Sequence, residues 1–132
     1  MTWFASVKAE IDALPREDGW LDGEGSAVTD VARFVAAAWA HALAERFGEE
    51  PRVFPTEDGG VSLEWLWLEG AVKLVSVEVA FDGDVSLVDV SDGRGVAGPA
   101  RTVNQVHAAL KQARATLAAT IAAAGMKAWL RA

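Results

Sequence analysis

Residues 61–90 read VSLEWLWLEGAVKLVSVEVAFDGDVSLVDV, and their pattern decides the fold class. Val61, Leu63, Trp65 and Trp67 occupy every second position, as do Val75, Val77, Val79 and Phe81. A period of two places each set on one face of a strand. Register then follows from burial. A two-residue loop at Glu69-Gly70 sets Val75 opposite Glu64, whereas an odd loop sets Trp65 opposite Val75, Leu63 opposite Val77 and Val61 opposite Val79. A one-residue slip turns every side chain over, so the odd loop, which gathers the apolar residues, is expected. Asp82-Gly83 is a hairpin signal. Read as a two-residue turn, it adds Val88 and Val90 to the same face.

Working outward, Arg52–Phe54 reads as a short preceding strand, and residues 52–90 form a β-meander. Upstream the period becomes helical. Residues 1–14 place Trp3, Phe4, Val7, Ile11 and Leu14 on one helical face, with Thr2 as N-cap and Pro15 as the stop. Residues 15–27, PREDGWLDGEGSA, are a glycine-rich acidic loop tied down by Trp20 and Leu21. Residues 28–48 predict a second helix, capped by Ser26 or Thr29, with a stripe of Val31, Phe34, Val35, Ala38, Ala42 and Leu43. Residues 91–101 read as a glycine-rich loop. Residues 102–132 form a helix and tail. Thr102 and Gln105 make a capping box, Gly125 ends the helix, and Trp129 and Leu130 anchor the tail. The expectation is one α+β domain of two layers, in the order α-α-β-β-β-β-α. An antiparallel meander of three or four strands packs on two long helices.

The chain has 132 residues and no cysteine, which excludes disulfides, thiolate metal sites and cysteine nucleophiles. Lys8, Glu10 and Asp12 interrupt any apolar signal-peptide core, and no apolar run approaches the length of a membrane span. A cytoplasmic location without membrane contact is expected. Net charge is −7. All nineteen acids and seven of the twelve Lys and Arg lie in residues 1–98, which therefore carry −12, while residues 99–132 carry +5. An acidic body argues against binding nucleic-acid phosphates.

Motifs for chemistry are sparse. GRGVAG at residues 93–98 matches G-x-G-x-x-G, but residues 99–101 separate it from the helix and no acidic ribose ligand follows, so a loop is preferred over a dinucleotide site. Arg94 and Arg101 leave a weak anion nest open there. His41 and His107 lie on different helices without a ligand set, so no metal and no cofactor are expected. Glu64 and Glu78 point away from the apolar strand face. Acid–base work needs two carboxylates in unlike environments within a cleft. For an enzyme, Glu64, Glu78, His41 and His107 are the groups to test; otherwise the carboxylates are a solvated sheet face. Asn104, His107, Lys111 and Arg114 form a polar stripe on the last helix that could meet an acidic partner or a membrane surface; the plainer reading is a solvated face turned toward the chain's own acidic sheet. Trp39, Trp65 and Trp67 are expected in the core. Trp3, Trp20 and Trp129, in terminal or loop segments, are candidates for a partner or homodimer surface, together with Glu64 and Glu78.

The segment PTEDGG at residues 55–60, followed by Val61-x-Leu63-x-Trp65 and by VSVEVAFDGDVSLV, resembles a hairpin pattern of small bacterial and phage-associated proteins. The resemblance covers residues 52–92. It implies a Gly-Gly turn into a tryptophan-bearing strand, and it implies no activity. The functional expectation is a non-enzymatic, acidic protein-interaction module, of the immunity, antitoxin, anti-defence inhibitor or secretion-chaperone kind. The alternative is a small-molecule-binding protein or hydrolase-type enzyme with a pocket between sheet and helices.

Overall fold

The computed structural model describes residues 2–131 except 69–71 and 92, and no side chain at 117, 120, 121 or 123–131. The element order is α1 (Phe4–Asp12), α2 (Asp30–Ala44), β1 (Arg52–Pro55), β2 (Val61–Trp67), β3 (Lys73–Val79), β4 (Val85–Ser91), β5 (Arg94–Pro99) and α3 (Val103–Arg131). The strands form one antiparallel meander in the order β1-β2-β3-β4-β5, and the helices pack on one face. The fold is α+β.

The β2–β3 register is the one the alternation demands: Val61 faces Val79, Leu63 faces Val77 and Trp65 faces Val75. All six are buried. Each such aliphatic side chain contributes about 1.5–3 kcal/mol relative to an exposed one. The Gly59-Gly60 turn precedes β2. Gly60 is required there, because a Cβ would run into the Val79 carbonyl oxygen. Thr56 Oγ1 accepts from the Gly60 amide at 2.8 Å and closes the turn.

The next turn differs from expectation. Val79 pairs with Val85, and Val77 with Leu87. The loop is three residues, Phe81, Asp82 and Gly83: the Gly83 amide donates to Ala80 O, and the Ala80 amide donates to Asp84 O. Gly83 takes the left-handed position at φ 92°. A type I turn followed by a left-handed glycine uses Asp-Gly just as a two-residue loop does, but shifts the register by one. Val85 and Leu87 therefore meet the core, while Val88 and Val90 lie on the opposite face.

A fifth strand occupies part of the segment read as a loop. Ser91 pairs with Arg94, Val90 with Gly95 and Leu87 with Gly98. The GRGVAG match is thus a strand, hydrogen-bonded to β4 over most of its length. Its glycines give it the composition of a loop, yet an edge strand can tolerate them.

α2 begins where Thr29 caps it, Oγ1 accepting from the Ala32 amide at 3.1 Å. α1 has Trp3 rather than Thr2 at its N-cap position, with no side-chain cap. The buried face of α2 is Ala32, Arg33, Ala36, Ala40, Leu43 and Ala44. The expected stripe is rotated: Val31 and Phe34 face solvent. Alanine is apolar too, so the helix carries two candidate faces. Packing selects the small one, which lets α2 sit close to the bulky side chains of Ile11, Leu63 and Trp65.

α3 starts with the expected capping box. The Gln105 amide donates to Thr102 Oγ1 at 3.2 Å, and Gln105 Oε1 accepts from the Arg101 amide at 3.0 Å. The helix then runs through Gly125 to Arg131 instead of ending at the glycine. One glycine costs about 1 kcal/mol in a helix, which the alanine-rich surroundings offset.

Candidate functional site

The two ends of α2 carry opposite surfaces. At its N-terminal end, Thr29 joins three elements. Its Oγ1 caps the helix and donates to Phe81 O at 2.6 Å, while its amide donates to Gly59 O at 3.1 Å. The β3–β4 turn is thereby held against the first turns of α2. A Cβ on Gly83 would lie 3.0 Å from Val31 Cγ1 and 3.4 Å from Val35 Cγ2, which measures how closely they sit. Around this junction Val31 is 51% exposed, Phe34 76% and Phe81 53%. Asp30, Asp82 and Asp84, all exposed, stand beside them. The result is an apolar ridge with acidic neighbours.

At the other end of α2, a groove of about 570 Å3 is lined by Arg46, Phe47 and Gly48 on one side and His107, Lys111 and Arg114 on α3 on the other. Positions 107, 111 and 114 share one helical face. Arg46 donates to Asn104 Oδ1. Arg114 Nε lies 3.2 Å from Glu49 Oε1, and its guanidinium carbon is 6.0 Å from the centre of the Phe47 ring. Glu49 is itself held, because its Oε2 accepts from Trp67 Nε1 at 2.8 Å. The polar stripe of α3 thus meets Glu49, an acid of the segment between α2 and β1 and not of the sheet.

Of the remaining candidates, Glu64 and Glu78 come together as diagonal neighbours on one sheet face, whereas His41 and His107 lie elsewhere. Glu64 faces Arg52 and Ser76, and Glu78 faces Ser62 and Ser86. Both lie on the sheet face opposite the helices. The cross-strand row Leu66–Leu74–Val90 runs over the same face. His41, on α2, stacks edge-on against Phe4 at 4.9 Å and lies 3.9 Å from Glu45, whereas His107 lines the groove. Among the described residues, no cluster of His, Asp and Glu could hold a metal ion.

Two indoles engage their own chain. Trp3 is buried, donates Nε1–H to Phe47 O at 2.7 Å and meets the Trp65 ring edge-on at 6.3 Å. Trp20 donates to Ser26 O at 2.7 Å. The side chain of Trp129 lies outside the described residues; its backbone belongs to α3. Trp65 is in the core, and Trp39 and Trp67 pack against it partly exposed.

Sequence reading missed a cleft of about 500 Å3 where β4 and β5 meet the start of α3. In it Lys73 Nζ lies 2.8 Å from Asp89 Oδ1 and donates to Ser91 Oγ at 2.6 Å. An ammonium that donates to the hydroxyl and is paired with a carboxylate orients the serine without acting as its base. The corrected β4 register places Asp89 there, so no pattern in the sequence pointed to the trio.

No helix among the described residues is long and apolar enough to cross a membrane. No family model, curated protein or solved structure matches the chain.

Proposed function

We propose that the protein is a non-enzymatic interaction module that docks a basic protein partner through the Val31–Phe34–Phe81 ridge. The observation that carries this reading is the exposure of Phe34, at 76%, beside two more half-exposed large apolar side chains. Apolar anchors of this kind, once desolvated, dominate interface energies. Asp30, Asp82 and Asp84 and the net charge of −7 favour a partner with basic groups around an apolar centre, and they speed its encounter. The separation of His41 and His107 from Glu64 and Glu78, which share the sheet face away from the helices, supports a binding role over the alternative of a pocket between sheet and helices. A small inhibitor of the immunity or antitoxin kind is the setting we favour.

The test is co-purification from the native host, followed by affinity measurement with the purified partner. Phe34→Ser is expected to weaken binding tenfold or more, about 1.4 kcal/mol or above, and rising salt is expected to slow association. Recovery of no protein partner together with a retained metabolite overturns the proposal. So does a partner whose affinity is unchanged by Phe34→Ser combined with Phe81→Ser.

A further inference from the structure

We infer that the groove between the C-terminal end of α2 and α3 is a binding site for a small organic anion, one with a phosphate or carboxylate head and an apolar body. Three features of the groove favour such a ligand over a bare ion or a long acidic chain.

Its positive charge is concentrated and comes from both walls. Arg46 arrives from the residues after α2, and His107, Lys111 and Arg114 from α3. The described groove contains these four basic side chains in a molecule of net charge −7. Outward-spread lysines would be a solvated face, but these converge on one cleft.

Two of the cations are positioned in advance. Glu49 takes only the Nε edge of Arg114, with the guanidinium set near Phe47. The terminal nitrogens of the guanidinium remain the natural donors for a bidentate oxyanion. Asn104 Oδ1 accepts from Arg46 Nη1 and holds that guanidinium by one terminal nitrogen. Lys111 and His107 have no polar partner among the described residues, so they supply mobile donors between two fixed ones. Preorganised donors lose less entropy on binding.

The floor is apolar. Phe47, Gly48, Ala115 and Ala118 line it between the charges. Inorganic phosphate would leave this surface wet, whereas an aryl or alkyl group would cover it. A volume of about 570 Å3 suits a small molecule. Arg46 follows Phe34 by twelve residues, about 18 Å along the axis of α2. The groove is therefore independent of the partner surface proposed above.

The test is an NMR titration of the 15N-labelled protein with phenyl phosphate, octanoate, inorganic phosphate and benzyl alcohol. Phenyl phosphate or octanoate is expected to shift the amides of Gly48, His107 and Lys111 saturably at millimolar concentration. Whichever binds more tightly tells a phosphate head from a carboxylate one, and inorganic phosphate and benzyl alcohol should each bind more weakly than either. Lys111→Gln and Arg114→Gln, at exposed positions, should each weaken binding about tenfold, as loss of a charge-assisted hydrogen bond does. Phe34→Ser should leave it unchanged, which separates this site from the ridge. Shifts that are absent, that fall elsewhere, or that persist in the Lys111→Gln/Arg114→Gln double variant overturn the assignment. Groove amides that move only with protein concentration would mean that the acidic end of a second copy fills the groove, and would likewise overturn it.

Discussion

Arg33 shows how much one side chain can organise here. It sits in the alanine face of α2, buried, and its guanidinium donates to four backbone carbonyls where α1 ends. Nη1 reaches Ile11 O at 2.6 Å and Asp12 O at 3.3 Å; Nη2 reaches Leu14 O at 2.8 Å and Pro15 O at 3.0 Å. Ile11 O and Asp12 O belong to the last turn of α1, where a cation complements the helix dipole, and Leu14 O and Pro15 O to the segment that follows it. Burial pushes the Arg33 pKa down, but the guanidinium stays charged at neutral pH. Its Nε is the one cost, buried with no hydrogen-bond partner among the described residues. Arg33→Met should lose about 1–3 kcal/mol of stability in urea denaturation, since four hydrogen bonds are removed and Leu14 O loses its donor. Arg33→Lys should recover part of this, because an ammonium has three donors but no fork. A Met variant as stable as wild type would mean that water reaches those carbonyls freely. Nothing in the sequence marked Arg33, since an arginine within a helix reads as surface until its neighbours are known.

Elements differ in how well the sequence announces them. The β2–β3 pair was legible down to its register, because six alternating apolar residues allow only one pairing that buries them all. The β3–β4 register was not, because Asp-Gly serves loops of two and three residues, and both put valines on the core face. β5 was hidden by its glycines, and the contrast among glycines is testable. Gly60→Ala should destabilise by about 2–3 kcal/mol, since the new methyl meets the Val79 backbone, which cannot move aside. Gly98→Ala, with nothing within 4 Å of the added methyl, should be neutral within about 0.5 kcal/mol or slightly stabilising. Thermal melts of the two variants settle the point; equal losses would contradict the packing described for the Gly59-Gly60 turn.

For the whole molecule, the decisive fact is a single core. Trp3, Val7 and Ile11 from the first helix, Ala36 and Leu43 from the second, the β2 and β3 residues, and Val106 and Leu110 from the last belong to one buried cluster. Elements that share a core unfold together. Tryptophan fluorescence, which includes the buried Trp3 and Trp65 among six indoles, and far-ultraviolet circular dichroism should therefore give coincident urea transitions. Two separated midpoints would show that α3 or the sheet melts on its own. The acidic neighbours of the ridge and the basic groove lie at opposite ends of α2, and Arg33 is the charged side chain buried between them among the described residues.

By itself, the sequence determined the α+β class, the meander, the inward face of β2 and β3 and the cap at Thr102, and it narrowed the cap of α2 to Ser26 or Thr29. Each of these rests on local periodicity or on a hydrogen bond within a few residues. Tertiary structure alone decided which face of α2 is buried, the β4 register, the existence of β5 and the convergence of Arg46, His107, Lys111 and Arg114 on one groove. Those outcomes depend on volume and distance between segments far apart in the chain. An alanine stripe and a valine–phenylalanine stripe are equally apolar to a periodicity argument, and only close packing against large neighbours tells them apart.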